Sequence, residues 1–198
     1  MKDPYPRDPS KWPATTEILL AKFPLQMPKL VETVLASWED IFHSRIGAKG
    51  FQIGREVWPE PQILGFLLHE LIPLNLAATY PGQWQRGGPG ECDVVHRLQD
   101  GWSFEIKTSS SARGIFGNRS YAHISPLARK RRGSFFLAVN FEKFAHETSA
   151  RPEIRLVRFG WLSSTDWIGQ RAPSGQQARL TKEAKAYKLR IIYDQSRK

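Results

Sequence analysis

The chain has 198 residues, 40% of them hydrophobic and 12% aromatic, which is enough apolar side chain for one buried core, so it is read as a single domain over residues 1–198. Its one cysteine, Cys92, excludes an internal disulfide framework and a cysteine-rich zinc site. A net charge of +10 favours a polyanionic partner, and no basic amphipathic helix of the membrane-surface kind accompanies it, so nucleic acid is preferred over a membrane. No apolar run approaches the roughly 18 residues that span a bilayer, and the opening MKDPYPRDPSKWP lacks the apolar centre of a secretory signal. A cytoplasmic protein is expected.

Residues 1–14 hold four prolines and are expected to form an extended arm. PKLVETVLASWEDIFHSRIG (28–47) is expected to be an amphipathic helix. Pro28 suits its first turn, Gly47 suits a C-terminal stop, and Leu30, Val31, Val34, Leu35, Trp38, Ile41 and Phe42 recur at helical spacing. A second helix is expected from about Glu60 to Ala78, with Pro73 disturbing its last turns. QWQRGGPG (83–90) reads as a loop. A β-hairpin follows, DVVHRL (93–98) and WSFEIKT (102–108) about an Asp-Gly turn at 100 and 101. SFFLAVNF (134–141) and EIRLVRFGWL (153–162) read as buried strands, and YKLRIIY (187–193) as a last edge strand. Helices first and strands after predict an α/β fold, a mixed central β-sheet flanked by α-helices.

The hairpin is where chemistry is expected. Alternate side chains of a strand point to opposite faces, so Phe104 and Ile106 turn into the core while Ser103, Glu105 and Lys107 share the other face. The turn at 100 and 101 places Asp93 across from Lys107 or Thr108, near Glu105. Two carboxylates so close repel unless a cation lies between them. A hard divalent ion is held by one or two carboxylates with water and substrate phosphate, and an adjacent lysine can orient the attacking water. In the preceding helix, Glu70 follows Phe66 and Leu67 by a turn and precedes Leu74, which predicts a core-side carboxylate and a third acid for the set. Glu60 and Glu56 are weaker candidates for that position. His69 and His96 read as structural.

Asp93 followed by Glu105-Ile106-Lys107, with an acidic helix upstream, resembles the PD-(D/E)XK nuclease superfamily, with Cys92 standing where proline commonly precedes the aspartate. More narrowly, EIKTSSSARGIFGNRSYA and RFGWLSSTDWIGQ resemble the ScaI-like type II restriction endonucleases. The resemblance implies a restriction-endonuclease-like core and Mg2+-dependent cleavage of both DNA strands at a short palindromic site by a homodimer. A cognate DNA methyltransferase would act in the same system. It also implies Asp93 and Glu105 as metal ligands, Lys107 as water-orienting base or charge stabiliser, and Glu70 as auxiliary acid.

From Thr108 to Gly133 there are six cations and no acid. Ser109, Ser110, Arg113, Asn118, Arg119 and His123 form a candidate base-reading loop, since arginine can bridge guanine acceptors and asparagine can bridge adenine. Arg129, Lys130, Arg131 and Arg132 are candidate phosphate contacts without sequence code. STDWIGQRAPSGQQAR (164–179) is a second candidate recognition loop, with Trp167 read as core. Two other functions stand beside the endonuclease: a structure-specific repair or junction nuclease, and a non-catalytic nucleic-acid-binding module. The second leaves two carboxylates beside a phosphate path without purpose.

Overall fold

Proline at a first helical turn costs no hydrogen bond, and this chain uses it three times. Helix α1 (Trp12–Ala21) starts with Pro13, α2 (Met27–His43) with Pro28, and α3 (Pro61–Thr79) with Pro61. The computed structural model describes residues 3–122, 133–145, 151–172 and 174–197.

The extended N-terminal arm is not found. Pro9–Lys11 form a 3-10 turn that leads into α1, and the Asp8 side chain accepts the Ser10 N–H. Tyr5 packs on the core and its hydroxyl lies 2.8 Å from Thr16 Oγ1. Prolines there begin helices instead of stiffening a strand-like tail. Gly47 does not stop α2, which ends at His43. With φ of 68° it sits in the turn between two short strands, β1 (Arg45–Ile46) and β2 (Phe51–Gln52). Helix α3 runs through Pro73, which is buried among its apolar stripe of Leu64, Leu68, Ile72 and Leu76. Contrary to the sequence reading, α3 is long and apolar enough by itself to cross a membrane. Here that stripe lies in the core and the helix packs against α2 and the sheet.

The remaining strands are β3 (Trp84–Arg86), β4 (Val94–His96), β5 (Phe104–Ser109), β6 (Phe116–Asn118), β7 (Gly133–Phe141), β8 (Ile154–Ser163), β9 (Trp167–Gly169), β10 (Gln177–Leu180) and β11 (Arg190–Asp194). Strand β3 lies in the stretch read as a loop; buried Trp84 anchors it against Phe104 and His96. Six strands form the central sheet in the order β11-β8-β7-β5-β4-β3. Only β5 and β7 are parallel, so the sheet is mixed. A three-stranded sheet, β6-β10-β9, stands apart from it. This is a mixed α/β fold consistent with a restriction-endonuclease-like core.

The sheet's two faces divide the core. Phe104, Ile106, Phe135, Leu137, Val157 and Phe159 meet the helices on one side. On the other, Phe136, Ala138 and Leu162 meet Ile115, Trp167, Ala178 and Leu180 of the small sheet and its approaches. Glu105 and Lys107 belong to this second face, paired in register with Phe136 and Ala138.

Candidate active site

Strands β4 and β5 are paired at a single position, Val94 with Phe104, and then part. That register sets Asp93 opposite Glu105, not opposite Lys107 or Thr108 as expected. The cause is the connection: Asp100–Trp102 form a 3-10 turn instead of a two-residue Asp-Gly turn, and Ser103 Oγ takes the His96 N–H. Beyond the parting, the Asp93 carboxylate accepts the Ile106 N–H at 2.7 Å, so a side chain replaces the missing strand. The chain before it must come very close. Gly87 N–H donates to Asp93 O, and a Cβ on Gly87 would stand 1.8 Å from Cys92 O, so no side chain fits.

Three oxygens converge on the Lys107 ammonium: Ile106 O at 2.8 Å, Glu105 Oε2 at 3.3 Å and Asp93 Oδ2 at 3.9 Å. The ammonium lies 5.1 Å from the Tyr121 ring centre and 5.9 Å from that of Phe136. Tyr121 donates its hydroxyl to Glu105 Oε2 at 2.9 Å. His69 Nδ1 lies 3.6 Å from Asp93 Oδ2. Burial pushes the Asp93 carboxyl up, but the nearby His69 ring, the Lys107 charge and the Ile106 N–H together hold it down at about 2. The Tyr121 phenol is pushed up by burial and by the Glu105 carboxylate, so it stays a donor.

Beside this cluster opens a cleft of about 900 Å³, whose lining includes Glu60, His69, Glu70, Asp93, Ser109, Ser110 and Lys143. Helix α3 forms one wall and approaches β5 closely, since a Cβ on Gly65 would lie 2.6 Å from Thr108 Oγ1. Glu70 does not face the core. Its helical neighbours Phe66 and Leu74 are exposed, because the buried stripe runs through Leu64, Leu68, Ile72 and Leu76. Glu70 instead pairs with Arg86 of β3 at 2.6 Å on the cleft wall. Glu60 caps the same wall, whereas Glu56 is turned to Gln52 N–H and Arg55. His96 is buried in the hairpin, where its Nδ1 accepts the Gln99 N–H.

Among the proposed DNA contacts, Ser109 and Ser110 line the cleft. The run from 108 to 123 is more ordered than a loop: it contains β6 and a 3-10 turn, Arg119–Ala122. Arg113 and Asn118 are exposed. Arg119 donates to Ala172 O and Gly175 O at 3.1 and 3.2 Å, which joins the two candidate recognition segments into one body. The second of these is likewise partly strand, β9 and β10, with Trp167 buried as expected. His123, Arg129, Lys130, Arg131 and Arg132 lie outside the described residues.

Two carboxylates, a lysine and a strand that parts from its neighbour are thus gathered in one place, beside the cleft. The sequence pattern of the ScaI restriction endonucleases matches residues 4–193 of this chain. The type II restriction enzyme ScaI of Streptomyces caespitosus is 45% identical over 174 residues, which are 87% of this chain and 76% of that enzyme.

The chain belongs to the ScaI restriction endonuclease family.

It is accordingly a restriction endonuclease, a site-specific deoxyribonuclease that acts on DNA. No solved structure matches it. Enzymes of this type generally use divalent metal ions. Among the described residues no three His, Cys, Asp or Glu side chains gather closely enough to hold one. The oxygens that could serve are those of two carboxylates, Asp93 and Glu105, with the Ile106 carbonyl, all within 4 Å of one ammonium. That set fits a hard, largely hydrated dication better than zinc or another soft ion.

Around these acids the fold adds three neighbours: His69, which the sequence reading took as structural, and Tyr121 and Arg86, which it did not single out. His69 had a signal in standing next to Glu70 on an amphipathic helix. Tyr121 and Arg86 had none, because each reaches the acids across a chain crossing that no local pattern encodes.

Proposed function

We propose that this ScaI-family chain hydrolyses both strands of DNA at a short palindromic sequence, with Asp93, Glu105 and Lys107 as its hydrolytic centre and Mg2+ as its cofactor. Asp93 and Glu105, with the Ile106 carbonyl, hold the ion, and Glu70 is the auxiliary acid. When bound, Mg2+ supplies Lewis acidity at the scissile phosphate. The observation that carries this reading is the convergence of three oxygens on one cationic point, with two carboxylates facing a single ammonium. Two negative charges on one positive charge leave a deficit that a dication removes.

Lys107 is held near the cleft by the Ile106 carbonyl and orients the attacking water. Its positive charge also stabilises the negative charge that develops on the phosphate oxygens as the leaving oxygen departs. Asp93 stays ionised through the working pH range and needs no proton shed before a cation enters. The chain acts as a one-domain subunit of a homodimer, whose two-fold axis matches the palindrome and puts one centre on each strand. It works in the cytoplasm beside a DNA methyltransferase that protects the same sequence. Ser109, Ser110, Arg113, Asn118, Arg119 and His123 read or clamp the DNA, and Arg129, Lys130, Arg131 and Arg132 grip phosphate.

The test is plasmid cleavage in Mg2+ and in EDTA, with mapped ends. Discrete fragments in Mg2+ alone are expected. Smearing would favour the repair-nuclease reading, and intact plasmid would favour the non-catalytic one.

A further inference from the structure

Glu105 is tied to the small sheet by one side chain. Tyr121 leaves the end of β6 through the 3-10 turn Arg119–Ala122 and donates to Glu105 Oε2 at 2.9 Å. Its ring stacks on Trp167 of β9, with centroids 5.2 Å apart and planes at 28°. The ring also packs edge-on to Phe136 of the central sheet. Close packing fixes this arrangement, since a Cβ on Gly117 would lie 2.9 Å from Trp167 and 3.1 Å from Tyr121. Two residues before Tyr121, Arg119 is bonded to the carbonyls of Ala172 and Gly175, which lie in sequence between β9 and β10. A continuous path of contacts therefore runs from those two residues, through Arg119 and the Tyr121–Trp167 stack, to the carboxylate.

We propose that Tyr121 is a positioning residue that fixes the orientation of Glu105 toward the divalent ion and makes it depend on the seating of the β6-β10-β9 sheet. The inference rests on Glu105 being a metal ligand, as set out above. A carboxylate that binds a dication uses a particular oxygen and rotamer, and a hydrogen bond to that oxygen selects both. A phenol suits the task because it is a rigid, two-torsion donor whose apolar body can be buried in a stack. The rest of the sheet then senses DNA without touching the metal. A misfitting sequence shifts Ala172 and Gly175, Arg119 follows, and the donor to Glu105 moves off its line. Discrimination at the cleavage step is thereby added to discrimination in binding.

Tyr121→Phe tests this, because it keeps the ring and its stack and removes only the hydroxyl. Three readouts are compared with wild type and with Glu105→Ala: calorimetric titration of Mg2+ or Ca2+ into the DNA complex, thermal melting, and single-turnover cleavage of the mapped site and of one-base variants. The expected result for Tyr121→Phe is ion affinity weaker by about 10-fold and cleavage slower by about 10- to 100-fold, the range for partners of metal ligands. The ratio of cleavage rates between the mapped site and its one-base variants should shrink, while the ratio of their affinities in Ca2+ stays at the wild-type value. The melting temperature should stay within a few degrees. Wild-type ion affinity and cleavage ratios in Tyr121→Phe, with ion binding lost in Glu105→Ala, would overturn the inference and leave the metal assignment standing. Ion binding unchanged in Glu105→Ala would overturn the metal assignment itself. A fall in melting temperature with unchanged ion affinity per folded molecule would make Tyr121 a packing residue and also overturn the proposal.

Discussion

Among the described residues, Lys107 and Lys188 are both set among carboxylates and aromatic rings, and they are not alike. Lys188 is bound to Asp166 at 2.9 Å, with the two side chains only 2% and 4% exposed, and its ammonium lies over Tyr5 and Trp12 at 4.3 and 4.2 Å. Asp166 also accepts the N–H and hydroxyl of Ser163, both at Oδ2. One charge meets one charge, and both side chains are almost fully buried. Lys107 faces two carboxylates at longer range, 3.3 and 3.9 Å, beside an open cleft. The first site is complete and holds the N-terminal segment to the body. The second carries surplus negative charge, and surplus charge at an opening invites a cation. Stoichiometry and access separate the structural pair from the candidate hydrolytic centre, since residue types alone do not.

The contrast breaks most sharply at the acids. Asp93→Ala and Glu105→Ala should each lower cleavage by roughly a thousandfold or more, a loss at the upper end for removal of one preorganised electrostatic group. DNA binding should persist or tighten, because repulsion toward phosphate is relieved. Near-wild-type cleavage in both variants would remove the site from consideration.

Next in size are the two lysines, whose losses should fall on different measurements. Lys188→Ala should destabilise the fold by about 3–5 kcal/mol, the cost of leaving a buried carboxylate unpaired, with cleavage per folded molecule preserved. Lys107→Ala should do the reverse, losing about 10²–10³ in cleavage rate with little change in denaturant midpoint. If both variants lose stability and neither loses rate per folded molecule, the two lysines do not differ in kind.

Acid titration gives a smaller effect. The Asp93 carboxyl is lowered from its ordinary 3.8 to about 2, so its stabilising contribution is full above pH 4 and is lost as pH falls through 2. Denaturation in metal-free buffer should therefore show a slope between pH 4 and 2 that Asp93→Asn flattens. An unchanged slope in Asp93→Asn would mean that His69, Lys107 and the Ile106 N–H do not act on Asp93 in this way.

The smallest effects concern the DNA interface. Arg113→Ala or Asn118→Ala should cost about 1–3 kcal/mol of discrimination between the mapped site and a scrambled duplex if the side chain makes a bidentate base contact. Replacing Arg129, Lys130, Arg131 and Arg132 by alanine should weaken binding to every sequence alike. It should also lower the slope of log K against log salt by roughly 0.9 for each phosphate that is no longer neutralised. Titrations in Ca2+ at several salt concentrations distinguish the two, and interchanged outcomes would reverse the roles of the segments.

Local rules go a long way in this chain. Alternation along WSFEIKT is enough to turn Phe104 and Ile106 to the helices and Glu105 and Lys107 to the other face, as the structure has it. Unbroken apolar runs predict β7 and β8, which are buried on both faces, and helical spacing predicts α2 and α3. The motif and the flanking blocks also suffice to indicate the family, since residue type and spacing in one short strand pair specify that chemistry.

Features that depend on chain crossings needed the folded chain. Asp93 faces Glu105 because Ser103 and a 3-10 turn reset the hairpin by two residues, and a hydrogen bond seven residues apart is invisible to alternation. Glu70 lies on the cleft wall because α3 is rolled so that Leu64, Leu68, Ile72 and Leu76 meet the core, a choice made by the packing partner. Prolines in the first residues read as an extended arm, whereas in the fold Tyr5 and Trp12 have the Lys188 ammonium to cover. Which residues are candidates for the chemistry is legible along the chain, because periodicity and side-chain type are local. Which of them meet, and which helpers such as His69 and Tyr121 join them, is set by the closure of the two sheets. Contacts between residues far apart in sequence form only where the whole core permits them.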